Sequence, residues 1–579
     1  MTESTAPEPA AARDPRLAEL GRRYWDLALQ ASPLSATLLG VHDHDDRLDD
    51  LSAEVEAEHA AELTRLRTAT RELDPTRLGA ADRITRSLLL HQLETGIRSA
   101  ELRLVELSSD QMDGPHAALL MMAPQLTYPE PAHAEAALTR YAQVPRLLGQ
   151  AIDRFRDGLH AGRTPAAVVI GRSVNSLDQY LATAVEDDPF LAAGLPDGWS
   201  GADDWRAQVA ELVRDRIRPA FAVYRDVLRD ELGPAARPDD RAGWCWLPDG
   251  DELYAALVHA HTTVSIPPAE LHDLGVRLTE QDLPAEYRRI ARRWCADGGP
   301  ADLDPDDLGA LFARLRSDTS LRHRDAAEIL ALAEHTVARA TAAMPAWFGR
   351  LPEAACAVAP VPDFLAADAP YAYCFPPAVD GTRPGTYFIN TADPEQSSRT
   401  EAESIAFHEA IPGHHLQIAI SQELDDLPDF QRHDGATSYI EGWGLYAERL
   451  ADEMGLYSDD VALLGMLTAD SWRSARLVVD TGLHASGWSR QQALDYFEQH
   501  TPVPVDQVAG EVDRYLAIPG QALSYKVGQL EIQRLRAVAQ ERLGERFDVR
   551  AFHDVVLGSG AVTLPVLEQM VHDWADAAA

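Results

Sequence analysis

The residues of this chain best suited to holding a metal ion sit in one apolar stretch, Phe407-His408-Glu409-Ala410-Ile411-Pro412-Gly413-His414-His415-Leu416-Gln417. In the H-E-x-x-H arrangement, two histidines one helical turn apart bind Zn²⁺ and the glutamate between them activates a metal-bound water. Here the position four after His408 is Pro412. On a regular helix, at about 100° per residue, His414 would point roughly 120° away from His408. His415 would share its side but lie roughly 10 Å further along the axis. Neither could share an ion with His408, because bonds of about 2.0–2.1 Å require the imidazoles to converge. A metal site therefore requires a break between Glu409 and His414. Pro412 and Gly413 supply it: proline has no N–H for the carbonyl of His408, and glycine tolerates the angles of a bulge or kink. Which of His414 and His415 turns toward His408 is left open.

The third ligand should come from a second helix, and Ser438-Tyr439-Ile440-Glu441-Gly442-Trp443-Gly444-Leu445-Tyr446-Ala447-Glu448 offers Glu441. A His₂Glu set leaves one position for water. Glu448, two turns on along the same face, is the alternative ligand or a partner to a histidine N–H. Chance histidines on a solvated helix are the plain competing reading. Ile405, Ala406, Ile411, Leu416, Ile418, Ala419 and Ile420 argue against it, since a helix this apolar is buried and its polar groups need partners.

The chemistry these residues would support is metal-assisted amide hydrolysis. One Zn²⁺ held by His408, His414 and Glu441 would lower the pKa of bound water toward about 7. Glu409 would take the water proton and pass it to the leaving amine. Tyr525, or failing it Tyr515, would stabilise the oxyanion. Arg514 and Lys526 would clamp a substrate carboxylate. Two histidines and a carboxylate also describe the facial triad of a non-haem iron oxygenase, which needs no glutamate beside the first histidine. A helical binding protein with a vestigial site is the third reading.

Several motifs recur in order: Tyr24-Trp25, Ser32-Pro33-Leu34-Ser35-Ala36-Thr37, Tyr387-Phe388-Ile389-Asn390-Thr391, the His408–Gln417 run, Glu441-Gly442-Trp443, Arg514-Tyr515, Pro519-Gly520-Gln521-Ala522 and Tyr525-Lys526-Val527-Gly528-Gln529. Together they resemble the bacterial domain-of-unknown-function 885 family over nearly the whole chain. The resemblance implies a mostly helical protein related to the gluzincin metallopeptidases, with a large multi-helix scaffold around a central substrate channel. Glu441-Gly442-Trp443 is similar to the segment that carries the third zinc ligand in gluzincin aminopeptidases. An oligopeptidase or exopeptidase acting on short peptides is then expected.

The elements that must position these residues can be read from periodicity. The chain has 579 residues, 46% of them apolar and 25% charged, and segments with helical spacing dominate. Amphipathic helices are expected at 17–31, 52–71, 80–107, 132–160, 168–184, 205–232, 251–261, 268–293, 471–483 and 489–499. No linker divides residues 15–579, so a single domain is expected, with a scaffold lobe to about residue 350 and a catalytic lobe after it. Between about 354 and 391 prolines accumulate, and Pro370–Phe375 and Thr386–Asn390 alternate as strands do. A hairpin through Asp380-Gly381 is expected beside the metal helix, and the resemblance to gluzincins, in which an edge strand beside the zinc pairs with extended substrate, implies that Tyr387, Phe388 and Asn390 face the substrate.

A net charge of −40 excludes nucleic acid and anionic membrane surfaces as expected partners. Cys245, Cys295, Cys356 and Cys374 have no ligand spacing and suggest a reducing compartment. The first 14 residues are Ala/Pro/Glu-rich and expected to be disordered. They lack a basic segment followed by an apolar one, and no run approaches 18 apolar residues, so the expected location is cytoplasmic.

Overall fold

Helices carry most of the chain in the computed structural model, which describes residues 13–362, 370–378 and 383–579. Most of the expected N-terminal tail and the Asp380-Gly381 turn lie outside the described residues. Local signals set many boundaries. The Asp14 carboxylate accepts the N–H groups of Arg16 and Leu17 at the start of helix Pro15–Ala31, and Ser52 caps Ala53–Arg71. The segment 132–160 divides into Pro131–Tyr141 and Val144–His160, with Pro145 in the first turn of the second, where its missing N–H costs nothing. The helix expected to reach Leu107 ends at Glu101. There Arg103 takes a left-handed φ of 52° and a 3₁₀ turn, Leu104–Leu107, follows.

Apolar packing does not divide at residue 350. Residues from Leu34 to Leu232 form one core of their own. A second core joins Leu17, Leu89 and Leu93 from the first helices to Phe407, Trp443, Tyr446 and Val571. The beginning of the chain thus braces the half that carries the histidines.

The sheet has three short strands, β1 (Cys356–Pro360), β2 (Ala372–Phe375) and β3 (Gly385–Ile389), in the order β1-β3-β2. β2 and β3 are antiparallel, with Cys374 opposite Tyr387, as an alternating pair of strands predicts. β1 adds parallel to β3, with Val358 opposite Tyr387. Its sequence, Cys-Ala-Val-Ala-Pro, has no polar alternation and gave no strand signal.

Five helices carry the candidate site residues, Ala402–Glu409, His414–Gln422, Thr437–Glu453, Val505–Ala517 and Ser524–Leu543, and a sixth, Asp460–Ala485, packs against the first and the last three of them. Asp460–Ala485 is longer than the expected 471–483 because Asp459 caps it, accepting the Ala462 N–H at 2.8 Å. Among the described residues no helix is long and apolar enough to cross a membrane.

Candidate metal centre

The helix breaks where Pro412 and Gly413 predict. Ala402–Glu409 ends, Ala410–Gly413 leaves helical geometry with a cis Ile411–Pro412 bond, and His414 opens a new helix. Gly413 is packed onto the helix just ended: a Cβ there would lie 1.8 Å from the His408 carbonyl oxygen and 2.4 Å from that of Phe407. Trp443 Nε1 donates to the Pro412 carbonyl at 2.9 Å and ties the bend to the Glu441 helix.

This bend brings His408 and His414 together, with ring centroids 4.6 Å apart and planes at 86°. Glu441 Oε2 lies 3.6 Å from His408 Nε2 and 3.5 Å from His414 Nε2, and one ligand atom from each of the three residues falls within 4.8 Å of the others. A tetrahedron of bonds about 2.0–2.1 Å long has edges of about 3.4 Å. The spacing and the donor set, two imidazole nitrogens and a carboxylate oxygen, therefore fit a single ion of zinc's size. The His408 side chain is 4% exposed, but that of Glu441 is 19% exposed, so solvent reaches the cluster on the Glu441 side.

The bend leaves His415 facing elsewhere. Its Nε2 lies 3.2 Å from the Ala354 carbonyl oxygen and its ring lies under Gly385, where a Cβ would come within 2.3 Å of Nδ1. Burial lowers its pKa. Glu448 stands behind His408: Oε1 is 2.8 Å from His408 Nδ1, and Oε2 accepts the Ser404 hydroxyl at 2.6 Å. Burial alone would lower the His408 pKa, but the Glu441 carboxylate 3.6 Å from Nε2 and the Glu448 carboxylate hydrogen-bonded to Nδ1 outweigh it and raise it to about 9. Burial would raise the Glu441 carboxyl, yet the two imidazoles hold it well below the usual carboxylate range.

Glu409, the last residue of its helix, accepts the backbone N–H of Cys374 at 3.0 Å, so the edge of β2 away from β3 faces the glutamate. Tyr387 is fully buried on the central strand with no partner for its hydroxyl, and burial, with Tyr371 and Glu409 next in effect, pushes its pKa well up. Phe388 stacks on Tyr373 at 5.2 Å. Asn390 Oδ1 accepts the Ala392 N–H at 3.1 Å in the turn after β3.

Two pairs of close approaches place the remaining residues. A Cβ on Gly444 would lie 2.7–3.0 Å from three atoms of the His408 ring, so the missing side chain makes room for the imidazole. Gly442 faces Gly528, and a Cβ on Gly528 would lie 1.7 Å from the Ser438 carbonyl oxygen. Helices Thr437–Glu453 and Ser524–Leu543 thereby cross nearly in backbone contact, which brings the Tyr525 ring to 6.5 Å from that of His408 at 20°. Burial, then the Glu441 charge, raises the Tyr525 pKa. The helix carrying Tyr525 follows a turn in which Gly520 takes a left-handed φ of 84° and gives its N–H to Asp480 at 3.1 Å. Arg514 donates to Gln521 Oε1 at 2.6 Å. Tyr515 is fully buried, its hydroxyl within 2.9 Å of both Arg476 Nε and Glu511 Oε2.

Lys526 is placed differently from the expected substrate clamp. Its buried ammonium pairs with Asp470 and donates to Gln529 Oε1 at 2.7 Å, and Asp470 is also paired with Arg449. Successive helical residues diverge by about 100°, so a Tyr525 that faces the histidines sends Lys526 away. Arg476, Ser404 and the Cys374 N–H had no motif to point to them, although Ser404 lies one turn before His408 and helical spacing puts it on that face. Two surface cavities of about 360 and 550 Å³ are lined by other residues, and neither is the expected substrate channel. A second group, His42, Asp45 and His133, also gathers ligand atoms, but its imidazoles stack at 4.3 Å and 7°. Stacked planes point their lone pairs side by side, so the two rings cannot converge on one ion.

The family model for "Bacterial protein of unknown function (DUF885)" matches residues 33–571, and the chain belongs to that family. No curated protein matches. Among solved structures, the chain is similar to a candidate lipoprotein from Colwellia psychrerythraea, with a TM-score of 0.88 and 26% identity, covering 97% of this chain and 99% of that one. It is also similar to a candidate lipoprotein of unknown function from Shewanella oneidensis, with a TM-score of 0.74 and 17% identity, covering 97% and 100%.

Proposed function

We propose that this member of the DUF885 family is a zinc-dependent hydrolase of peptide or other amide bonds in short substrates, related in chemistry to the gluzincins. The observation that carries the reading is the convergence of His408, His414 and Glu441 around one point, with Glu409 next to His408 in the chain and Glu448 behind the His408 ring. Zinc, when bound, would supply an acidified water and polarise the scissile carbonyl.

Each protein group has a task that follows from its place. Glu448 accepts the His408 Nδ1–H and so turns Nε2 toward the side of Glu441, where a bound ion would take its lone pair. Glu409 takes the proton of the attacking water and delivers it to the leaving nitrogen. In the free protein its carboxylate is held by the Cys374 N–H, a partner it can keep while exchanging protons through its other oxygen. Tyr525, whose phenol stays protonated because burial and Glu441 raise its pKa, offers an O–H to the developing oxyanion. Glu409 also favours hydrolysis over the facial-triad alternative, which has no use for a base at that position.

The test is metal content and cleavage of a peptide library, measured on the same preparations of wild type and Glu409→Gln. One zinc in both with cleavage by wild type alone supports the proposal. No metal in either after zinc is added overturns it and leaves a binding protein. Iron with O₂-dependent turnover would move the chain to the oxygenases.

A further inference from the structure

Arg476 lies in the fully helical stretch Asp460–Ala485, is 4% exposed, and is held on two sides: Nε donates to the Tyr515 hydroxyl at 2.9 Å and Nη2 to Glu511 at 3.0 Å. Its third nitrogen, Nη1, is buried with no hydrogen-bond partner. A buried guanidinium N–H without an acceptor is costly, and charged groups more so than neutral ones. The cost is compounded by charge. Arg514 leans on the same Glu511 at 2.9 Å, and among the described residues no other carboxylate forms an ion pair with either guanidinium. One carboxylate thus serves two buried or half-buried cations. Asp113 and Asp480 feel Arg514 only at longer range, and Asp480 is committed to Tyr254 and Gly520.

The location gives the surplus charge a use. The Arg476 guanidinium lies 4.5 Å from the Tyr525 ring centroid, and that ring lies 6.5 Å from the His408 imidazole. An extended residue spans about 3.3–3.6 Å, so an anion at Arg476 is one to three residues from a carbonyl presented to Tyr525 and the histidines. Arg514, Gln521 and Tyr525 are half-buried where Arg476 is buried.

We propose that Arg476, with Arg514 beside it, binds the C-terminal carboxylate of a short peptide, so that the site releases one to three residues from the C-terminal end. This rests on the hydrolase reading for the cleavage but not for the binding. The unpartnered Nη1 can give a carboxylate a charge-assisted hydrogen bond, and a bond of this kind gives a preference of about tenfold or more.

The experiment uses one tripeptide library synthesised in two forms, with a free C-terminal carboxylate and with a C-terminal amide. Zinc-loaded Glu409→Gln protein captures peptides from the equimolar mixture, and wild type is assayed for cleavage of each form. The expected result is capture of acids at least about tenfold over amides, falling to near parity in Glu409→Gln/Arg476→Met and partly restored in Glu409→Gln/Arg476→Lys. Because Arg476→Met could unfold the protein, the acid-to-amide ratio on the Glu409→Gln protein alone already decides the matter. Equal capture of both forms, or no capture of either, overturns the proposal. So does selective capture of amides that contain Asp or Glu, which would assign the cation to a side-chain carboxylate. Equal cleavage of acids and amides would remove Arg476 from substrate recognition and leave the hydrolase standing. Acid-selective capture without cleavage by metal-loaded wild type would do the reverse.

Discussion

Glu448 Oε1 lies 2.8 Å from His408 Nδ1, on the same helix as Glu441 and two turns beyond it. One helix therefore addresses both nitrogens of one imidazole, Glu448 from behind and Glu441 from the front at 3.6 Å. Glu448→Gln keeps the shape but removes the charge that orients the ring. Its zinc affinity, titrated against a chromophoric chelator, should fall about 10–100-fold. An unchanged affinity would show that the ring is oriented by packing alone.

The neighbouring histidines should separate cleanly. His414→Ala removes a member of the convergent set, and its protein should bind no stoichiometric zinc in metal analysis after dialysis. His415 instead meets Ala354 and Gly385, so His415→Ala should keep one zinc and lose only packing, about 1–3 kcal/mol. Loss of metal in both would mean that the bend does not discriminate between them.

Gly444→Ala tests the same centre by volume. The added methyl meets three atoms of the His408 ring at 2.7–3.0 Å, and the ring is the softer partner in that collision. Helical circular dichroism should be unchanged and stability lower by about 1–3 kcal/mol, as for other overpacked sites. Zinc affinity should drop by at least about tenfold. Full affinity in this variant would mean the imidazole has another place to go.

Asp480 gives a pH signature that does not depend on metal. Burial raises its carboxyl pKa to about 7, against an unfolded value near 3.9. Between those values the folded form holds a proton that the unfolded form has released. The stability this group contributes is therefore complete below about pH 4 and is lost as pH rises through about 7, at up to about 1.4 kcal/mol per pH unit. Urea unfolding with excess chelator should show the difference between wild type and Asp480→Asn shifting in favour of the variant from pH 5 to pH 7.5. Parallel curves would sink the assignment.

Much of this arrangement could be read from the chain. Pro412-Gly413 announced the break, and Glu441 and Glu448 shared a helical face at a plausible distance. The choice between His414 and His415 was not readable, because it is set by the backbone at Ala410 and Gly413, whose ψ angles are −101° and −129°. β1 has no strand pattern because four small residues before Pro360 look the same in a loop, and only pairing with β3 makes them a strand. Lys526 follows Tyr525 in the motif but not on the helix face, because successive helical residues diverge by about 100°. Arg476 had no signature at all, since its neighbours Tyr515 and Tyr525 come from other helices.

The split between Ala402–Glu409 and His414–Gln422 also determines how the site would fail. Histidines on one continuous helix keep their spacing in an isolated peptide or in an expanded state that retains helices without fixed packing. Here the spacing depends on Trp443 reaching the Pro412 carbonyl and on Gly413 lying against His408, both of which require side chains locked in place. Chelation would then report tertiary order rather than helix content. On warming, the ion should be released with the near-ultraviolet dichroism of the aromatic residues, while the far-ultraviolet signal of the helices persists, and a fragment spanning residues 402–422 should not bind it as a chelate.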